Sequence, residues 1–209
     1  GGGGGCSVRL VPHEEFDRRT FHGLDDLMYC TQTRGYYGGA RLLRATCKRF
    51  AQLCASAGLT VQHLRGCSIA YDTTIPRMVG LSGSSAIITA ALKALMRFYG
   101  VELEDLRLTK AALPGVVLEI EKAELGIQAG LQDRVIQVYG GLVFMDFDEE
   151  AMAANGGIGR YEELDPAVLP PLYMAYNAVV GGESGKVHST VKERWVRREP
   201  SLVRGMQEL

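Results

Sequence analysis

Residues 80–86 read Gly-Leu-Ser-Gly-Ser-Ser-Ala, and they run without a break into Ile87–Gly100, IITAALKALMRFYG. This joint decides the fold. A glycine- and serine-rich loop followed at once by a strongly apolar segment predicts a helix that begins in the loop. Ser84 or Ser85 is placed to cap it, and Gly100 is placed to close it. Between Ala86 and Tyr99 only Thr89, Lys93 and Arg97 are clearly polar, so the helix is expected to be buried on most sides. The first amides of such a helix lack intrahelical partners, and its dipole is positive there. Gly80 and Gly83 carry no side chain that would hold an anion off, and Ser82, Ser84 and Ser85 add hydroxyls. The loop therefore reads either as an anion cradle or as a plain Ser/Gly turn that caps a helix. It is not a Walker loop. The nearest string, GGESGKVHS at 181–189, has Val180 in place of the first glycine and Val187 after the lysine.

Working outward, Tyr36–Ala57 carries Leu42, Leu43, Ala45, Phe50, Leu53 and Cys54 at helical spacing, and Gly58 stops that helix. Arg41, Arg44, Lys48 and Arg49 fill the gaps. Residues 59–72 alternate as one or two strands. Residues 11–34 are expected to be loop with short helical pieces. Pro114 is suited to a helix start, a further helix is expected over Gln132–Tyr139, and LVFMDF at 142–147 reads as a strand. Residues 148–165 read as polar, Gly-rich and exposed, 169–179 as a strand, and the segment from Ser184 as a basic helix.

Three constellations carry possible chemistry. The loop at 80–86 is the first. The second is EKAELGIQAGLQDRVIQVYGG at 121–141, where Asp133 falls at the start of a helix. A carboxylate there serves as a first-turn acid or as a base beside a bound hydroxyl. Glu121 and Glu124 are three apart and share a face, either as solvated acids or with one of them as a Mg²⁺ ligand. The third is SGKVHS at 184–189, where Lys186 and His188 could meet an acidic substrate or simply lie at the surface.

The composition narrows the classes. The 209 residues hold 23 basic and 24 acidic side chains, which gives no reason to expect nucleic acid. No apolar stretch reaches the roughly 18 residues that a membrane helix needs. The five cysteines, Cys6, Cys30, Cys47, Cys54 and Cys67, are odd in number and form no C-x-x-C pair. They point to a reducing compartment, with the cytoplasm as the expected location, and away from a disulfide scaffold or zinc site.

Taken together, PRMVGLSGSSA, then GLQD, then YGGLVFMDF resemble the GHMP family of small-molecule kinases. The likeness is closest to the plant and algal glucuronokinase branch, in which GLxGSSA, ELGIxAGLQDRVxQVYGGLVxMDF and SGKVHSxVxxRW recur in this order. GYYGGARLLRATCKRF and YDTTIPR resemble that branch too. The resemblance covers about residues 9–197.

It implies an α+β fold of the GHMP kinase type. Residues 9–165 would form the ATP-binding domain, similar to the second domain of ribosomal protein S5. Residues 166–209 would begin a ferredoxin-like C-terminal domain, and 1–8 would be a disordered glycine-rich start. It implies an ATP- and Mg²⁺-dependent sugar-1-kinase that phosphorylates the anomeric hydroxyl of D-glucuronate, a step suited to UDP-glucuronate salvage. Galacturonate or another sugar as acceptor, and a non-catalytic fragment of such an enzyme, are the alternatives. Under this reading Gly80, Leu81, Ser82, Gly83, Ser84, Ser85 and Ala86 bind the ATP phosphates. Ser85 and Glu121 take Mg²⁺, and Asp133 is the catalytic carboxylate. Arg134, Lys186 and Tyr37 are the candidates for contact with the sugar acid. The partners expected are a sugar acid and ATP, with neither nucleic acid nor membrane.

Two departures from the pattern stand out. The loop is one residue longer than the P-x-x-x-G-L-G-S-S-A of the wider family. The family's first motif and its third, glycine-rich motif are not found, so the chain reads as truncated at both ends.

Overall fold

The computed structural model describes residues 7–14, 17, 22, 38–60, 66–76, 79–176, 191 and 193–207. Its elements follow the chain as β1 (Val8–Leu10), α1 (Ala40–Ser56), β2 (Cys67–Ile69), α2 (Gly83–Tyr99), α3 (Leu113–Glu119), α4 (Leu131–Tyr139), β3 (Leu142–Asp146), α5 (Glu149–Ala154), β4 (Arg160–Leu164) and α6 (Pro200–Gln207). Helix α3 passes without a break into a π turn, Ile120–Glu124. The architecture mixes helix and sheet, as expected.

Helices α1 to α4 build the core. Helix α1 turns Leu42, Ala45, Phe50 and Cys54 inward, against Ile88, Leu92, Leu95 and Met96 of α2. Leu113, Val116 and Val117 of α3, with Val101, Leu106, Ile120 and Val138, complete the cluster. The spacing of these residues is the helical one read in the sequence. Helix α2 keeps a solvent stripe at Ala90, Lys93, Ala94 and Arg97, so it is less enclosed than its apolar sequence suggests. Its end is as expected, with Gly100 left-handed at φ 65°. Gly58, at φ 80°, likewise follows α1. Pro114 lies in the first turn of α3.

Two small sheets flank the helices. Strands β1 and β2 pair in parallel, with Val8 opposite Cys67 and Leu10 opposite Ile69. Val8, expected within the disordered start, thus belongs to a strand. Strands β3 and β4 pair antiparallel, from Leu142 opposite Leu164 to Asp146 opposite Arg160.

Several expectations need correction. Helix α1 begins at Ala40, not at Tyr36. Asp17 Oδ1 accepts from Ala40 N at 3.0 Å, and Tyr71 Oη accepts from Gly39 N at 3.0 Å. These distant groups cap a helix whose own N-cap residue is glycine. The segment 148–165 is largely exposed, as expected, and it also carries α5, capped by Asp148 through Ala151 N, and β4. Residues 169–176 form no strand and stand exposed, with Tyr173 at 96%. Of the expected basic helix, residues 191 and 193–196 are helical, and α6 follows after a break at 197–199; residues 184–190 and 192 lie outside the described residues. Residues 59–72 hold a single strand among the described residues. Most of the 11–34 segment lies outside those residues.

Cys47, Cys54 and Cys67 are free thiols. Burial pushes the Cys47 thiol up, and the neighbouring Cys67 adds to the shift. No described helix is long and apolar enough to cross a membrane.

Candidate active site

The loop before α2 is shaped by two left-handed residues. Gly80 has φ +79°, which glycine adopts without strain. Ser82 has φ 57°, a conformation disfavoured for a residue with a Cβ. Ser82, rather than Ser84 or Ser85, is the N-cap of α2, and its side chain makes no capping hydrogen bond. The first-turn amides of α2 are therefore left without a side-chain acceptor from the N-cap. Gly83 has no positive φ, and a Cβ there would meet only Ile75 Cγ2, at 3.7 Å, an ordinary contact. Neither backbone nor packing requires glycine at 83. What the missing side chain leaves clear is the approach to the helix start.

Helix α4 begins in a similar way. Its N-cap is Gly130, extended at φ −114°, with no side-chain cap. A Cβ at Gly130 would meet nothing within 4 Å. Asp133 lies in the first turn, where the helix dipole favours a carboxylate. Its side chain is 48% exposed.

Glu121 joins these two helix starts. It sits on the π turn, a distortion that widens the helix locally and recurs at functional positions. Its side chain is fully buried. Ser84 Oγ donates to Glu121 Oε1 at 2.6 Å. Arg134 donates to Glu121 Oε2 through Nε, with Nη2 also in contact. Arg134 Nη1 reaches the Gly130 carbonyl at 3.1 Å and Asp133 Oδ2 at 3.2 Å. A continuous polar line thus runs from Ser84 through Glu121 and Arg134 to Asp133. Farther along, Lys93 Nζ of α2 donates to the Val138 carbonyl of α4 at 2.9 Å, which ties the same two helices again.

The two serines divide their roles. Ser85 is fully buried, and its hydroxyl donates to the Ser82 carbonyl at 3.0 Å. Successive helical side chains point about 100° apart, so only one of the pair can face Glu121, and that one is Ser84. The resemblance directs Mg²⁺ to Ser85 instead. Likewise, the resemblance directs Arg134 toward a sugar carboxylate, whereas its partners in the structure are the chain's own acids. Leu81 and Ala86 flank the same loop. Glu124, the other acid of the pair, lies on the opposite side and bonds Lys48 Nζ at 2.6 Å. Tyr37 and Lys186 lie outside the described residues.

The donor set suits Mg²⁺, a hard cation that takes one or two carboxylates and completes its shell with water and phosphate oxygens. Glu121 Oε1 and the Ser84 hydroxyl lie side by side next to the loop. No group of three or more His, Cys, Asp or Glu able to hold a metal occurs among the described residues.

Residues 41–141 match the family model described as GHMP kinases N terminal domain. The match takes in α1, the loop at 80–86, the π turn and α4. Among individual proteins, the chain is 48% identical to glucuronokinase 1 of Arabidopsis thaliana over 201 residues, 96% of this chain and 53% of that protein. It is 47% identical to probable glucuronokinase 2 of the same plant over the same shares. D-glycero-alpha-D-manno-heptose 7-phosphate kinase of Campylobacter jejuni is 34% identical over 73 residues, 35% of this chain and 20% of that one. The chain spans about half the length of the two plant relatives. No solved structure matches it.

Proposed function

We propose that the chain is the ATP-binding part of a sugar-1-kinase that phosphorylates the anomeric hydroxyl of D-glucuronate. The observation that carries this reading is the convergence of two helix starts on one buried carboxylate, Glu121, with Asp133 exposed beside them. Likeness to two plant glucuronokinases supports the choice of acceptor.

Phosphoryl transfer asks for positioning, charge neutralisation and an in-line hydroxyl. The loop from Gly80 to Ala86 and the uncapped amides of α2 would hold the phosphates. Ser84 and Glu121 would hold Mg²⁺, which neutralises charge on the phosphates when bound; Ser85 would instead shape the loop through Ser82. Asp133 would accept the proton of the anomeric hydroxyl as its oxygen bonds the γ-phosphorus and the bond to ADP breaks. Lys186 and Tyr37 remain candidates for contact with the sugar acid.

Within this reading, residues 9–165 form an S5-like ATP-binding domain, and 166–209 open a ferredoxin-like second domain. The change from a packed core to the exposed Leu172, Tyr173 and Met174 supports that division. The setting is a reducing one such as the cytoplasm.

The test is ADP release by the chain with glucuronate, galacturonate, glucose and galactose as acceptors. Release with glucuronate that falls by about 10²-fold or more in Asp133→Asn is the expected result. Preference for galacturonate would correct the acceptor. Silence on all four, with no binding of ATP, would overturn the reading.

A further inference from the structure

We propose that Arg134 is a positioning residue that fixes the carboxylate of Asp133 by anchoring it to Glu121, and that it is not a ligand for the substrate's own carboxylate. The inference deepens the kinase reading and rests on it.

The argument starts from the guanidinium's donors. Nε and Nη2 face Glu121 Oε2, and Nη1 serves both the Gly130 carbonyl, at 3.1 Å, and Asp133 Oδ2, at 3.2 Å. A guanidinium has a fixed fork of N–H groups and no acceptor, so this set leaves a single N–H without an acceptor among the described residues. The side chain is 6% exposed, which leaves little of it for a ligand to touch. Adjacent residues on a helix do not face one another, so an Arg134–Asp133 contact forms only because the long arginine side chain folds back toward the helix start.

Glu121 is what holds it there. That carboxylate is fully buried on the π turn and is itself pinned by Ser84 on its other oxygen. The planar fork of arginine can hold two acids at once in fixed directions, which a lysine ammonium does not reproduce. Asp133 is half-exposed and lies on the first turn of α4, where its rotamer would otherwise be free. The Ser84–Glu121–Arg134–Asp133 line therefore sets the distance between the phosphate loop and the carboxylate that meets the hydroxyl. A misplacement of about 1 Å in such a constellation is enough to cost on the order of 10²-fold in rate.

The test uses the whole chain in two arms. In the first, ¹⁵N spectra of the ligand-free protein follow the Arg134 side chain. The expected result is an Nε–H resonance protected from exchange that shifts in Asp133→Asn. A resonance that exchanges freely, or one indifferent to residue 133, overturns the proposal.

In the second arm, turnover of glucuronate and of glucose is compared for the parent and for Arg134→Lys, which keeps a positive charge beside Glu121 but not the planar fork. Positioning predicts a kcat lower by on the order of 10²-fold with both sugars and a KM for glucuronate within about 3-fold of the parent. A KM rise of about 10-fold or more confined to glucuronate would make Arg134 a carboxylate ligand and overturn the proposal. Unchanged kcat would overturn it as well. A chain with the protected, Asp133-sensitive resonance that turns over no sugar keeps the link and overturns the kinase reading, so the two failures are distinguishable.

Discussion

Ser84 Oγ lies 2.6 Å from Glu121 Oε1, and this one hydrogen bond joins the first turn of α2 to the π turn 37 residues later. A hydroxyl that donates to a buried carboxylate makes a charge-assisted bond, and it fixes which serine of the loop faces the acid. Ser84→Ala is expected to cost about 1.5–3 kcal/mol of stability, the range for a hydrogen bond to a charged partner. Ser85→Ala removes a neutral bond to the Ser82 carbonyl and is expected to cost about 1 kcal/mol. Urea unfolding of the two variants gives the comparison. A larger loss for Ser85→Ala would show that the serines have exchanged roles.

Glu121→Gln is the more severe change. It leaves the guanidinium of Arg134 buried without its counter-ion. Breaking a buried pair from one side costs about 3–5 kcal/mol, a large part of the stability of a chain this size. The expected outcome is a strongly lowered unfolding midpoint. Much of it should be recovered when Arg134→Gln is added, because the double variant leaves no unpaired charge. A loss of stability of less than about 1 kcal/mol would mean that the pair is far better hydrated than its burial indicates.

Gly39→Ala tests the start of α1. A Cβ at 39 would stand 2.2 Å from the Tyr71 ring, closer than side-chain atoms approach. Tyr71 would have to move, and its hydroxyl would release Gly39 N and Asp17 Oδ2 together. A loss of about 1–3 kcal/mol is expected for overpacking of this kind. Gly58→Ala meets nothing within 4 Å and carries only the cost of its positive φ. Thermal unfolding that ranks Gly58→Ala as the worse of the two would refute the assignment of Tyr71 as a distant cap.

The C-terminal segment gives a pH dependence. The Arg194 guanidinium, with help from Ser201, holds the Glu199 carboxyl down to about 2 from a usual 4.5. A depressed pKa stabilises the fold above the unfolded value, and that contribution disappears as pH falls through the folded one. The stabilisation from the pair of 194 and 199 is therefore complete above about pH 5 and is lost between about 4.5 and 2, while the contact itself persists in the folded chain until pH nears 2. A carboxyl ¹³C titration of Glu199 with a midpoint near 4.5 would remove the contact from consideration.

Much of the helical part could be read from the sequence. The apolar spacing of α1 and α2, Pro114 at the start of α3 and the left-handed Gly100 are local signals, and local signals survive folding. The site was legible as a set of residues but not as an arrangement. Whether Ser84 or Ser85 faces Glu121 depends on where α2 begins, and Ser82 took the cap position that either serine could have filled. The partners of Arg134 were hidden because a π turn places Glu121, and no composition marks a π turn. Strand β4 was missed for a related reason. RYEEL has no apolar alternation, and only Tyr161 is even partly covered. Its pairing with β3 makes it a strand.

The sheet of β1 and β2 asks for a longer closure than the polar line does. Its three-residue parallel ladder joins Val8 to Cys67 across the whole of α1 and the segment before it, so a long loop must close before any of its bonds form. The contacts of the polar line span 37, 13 and 1 residues, all within one helical layer. Short closures form early and long ones late. The chemistry-bearing half can therefore acquire its shape while residues 8–10 are still unpaired. The same ladder is only three residues long, so its amides are expected to exchange with solvent well ahead of those in α2.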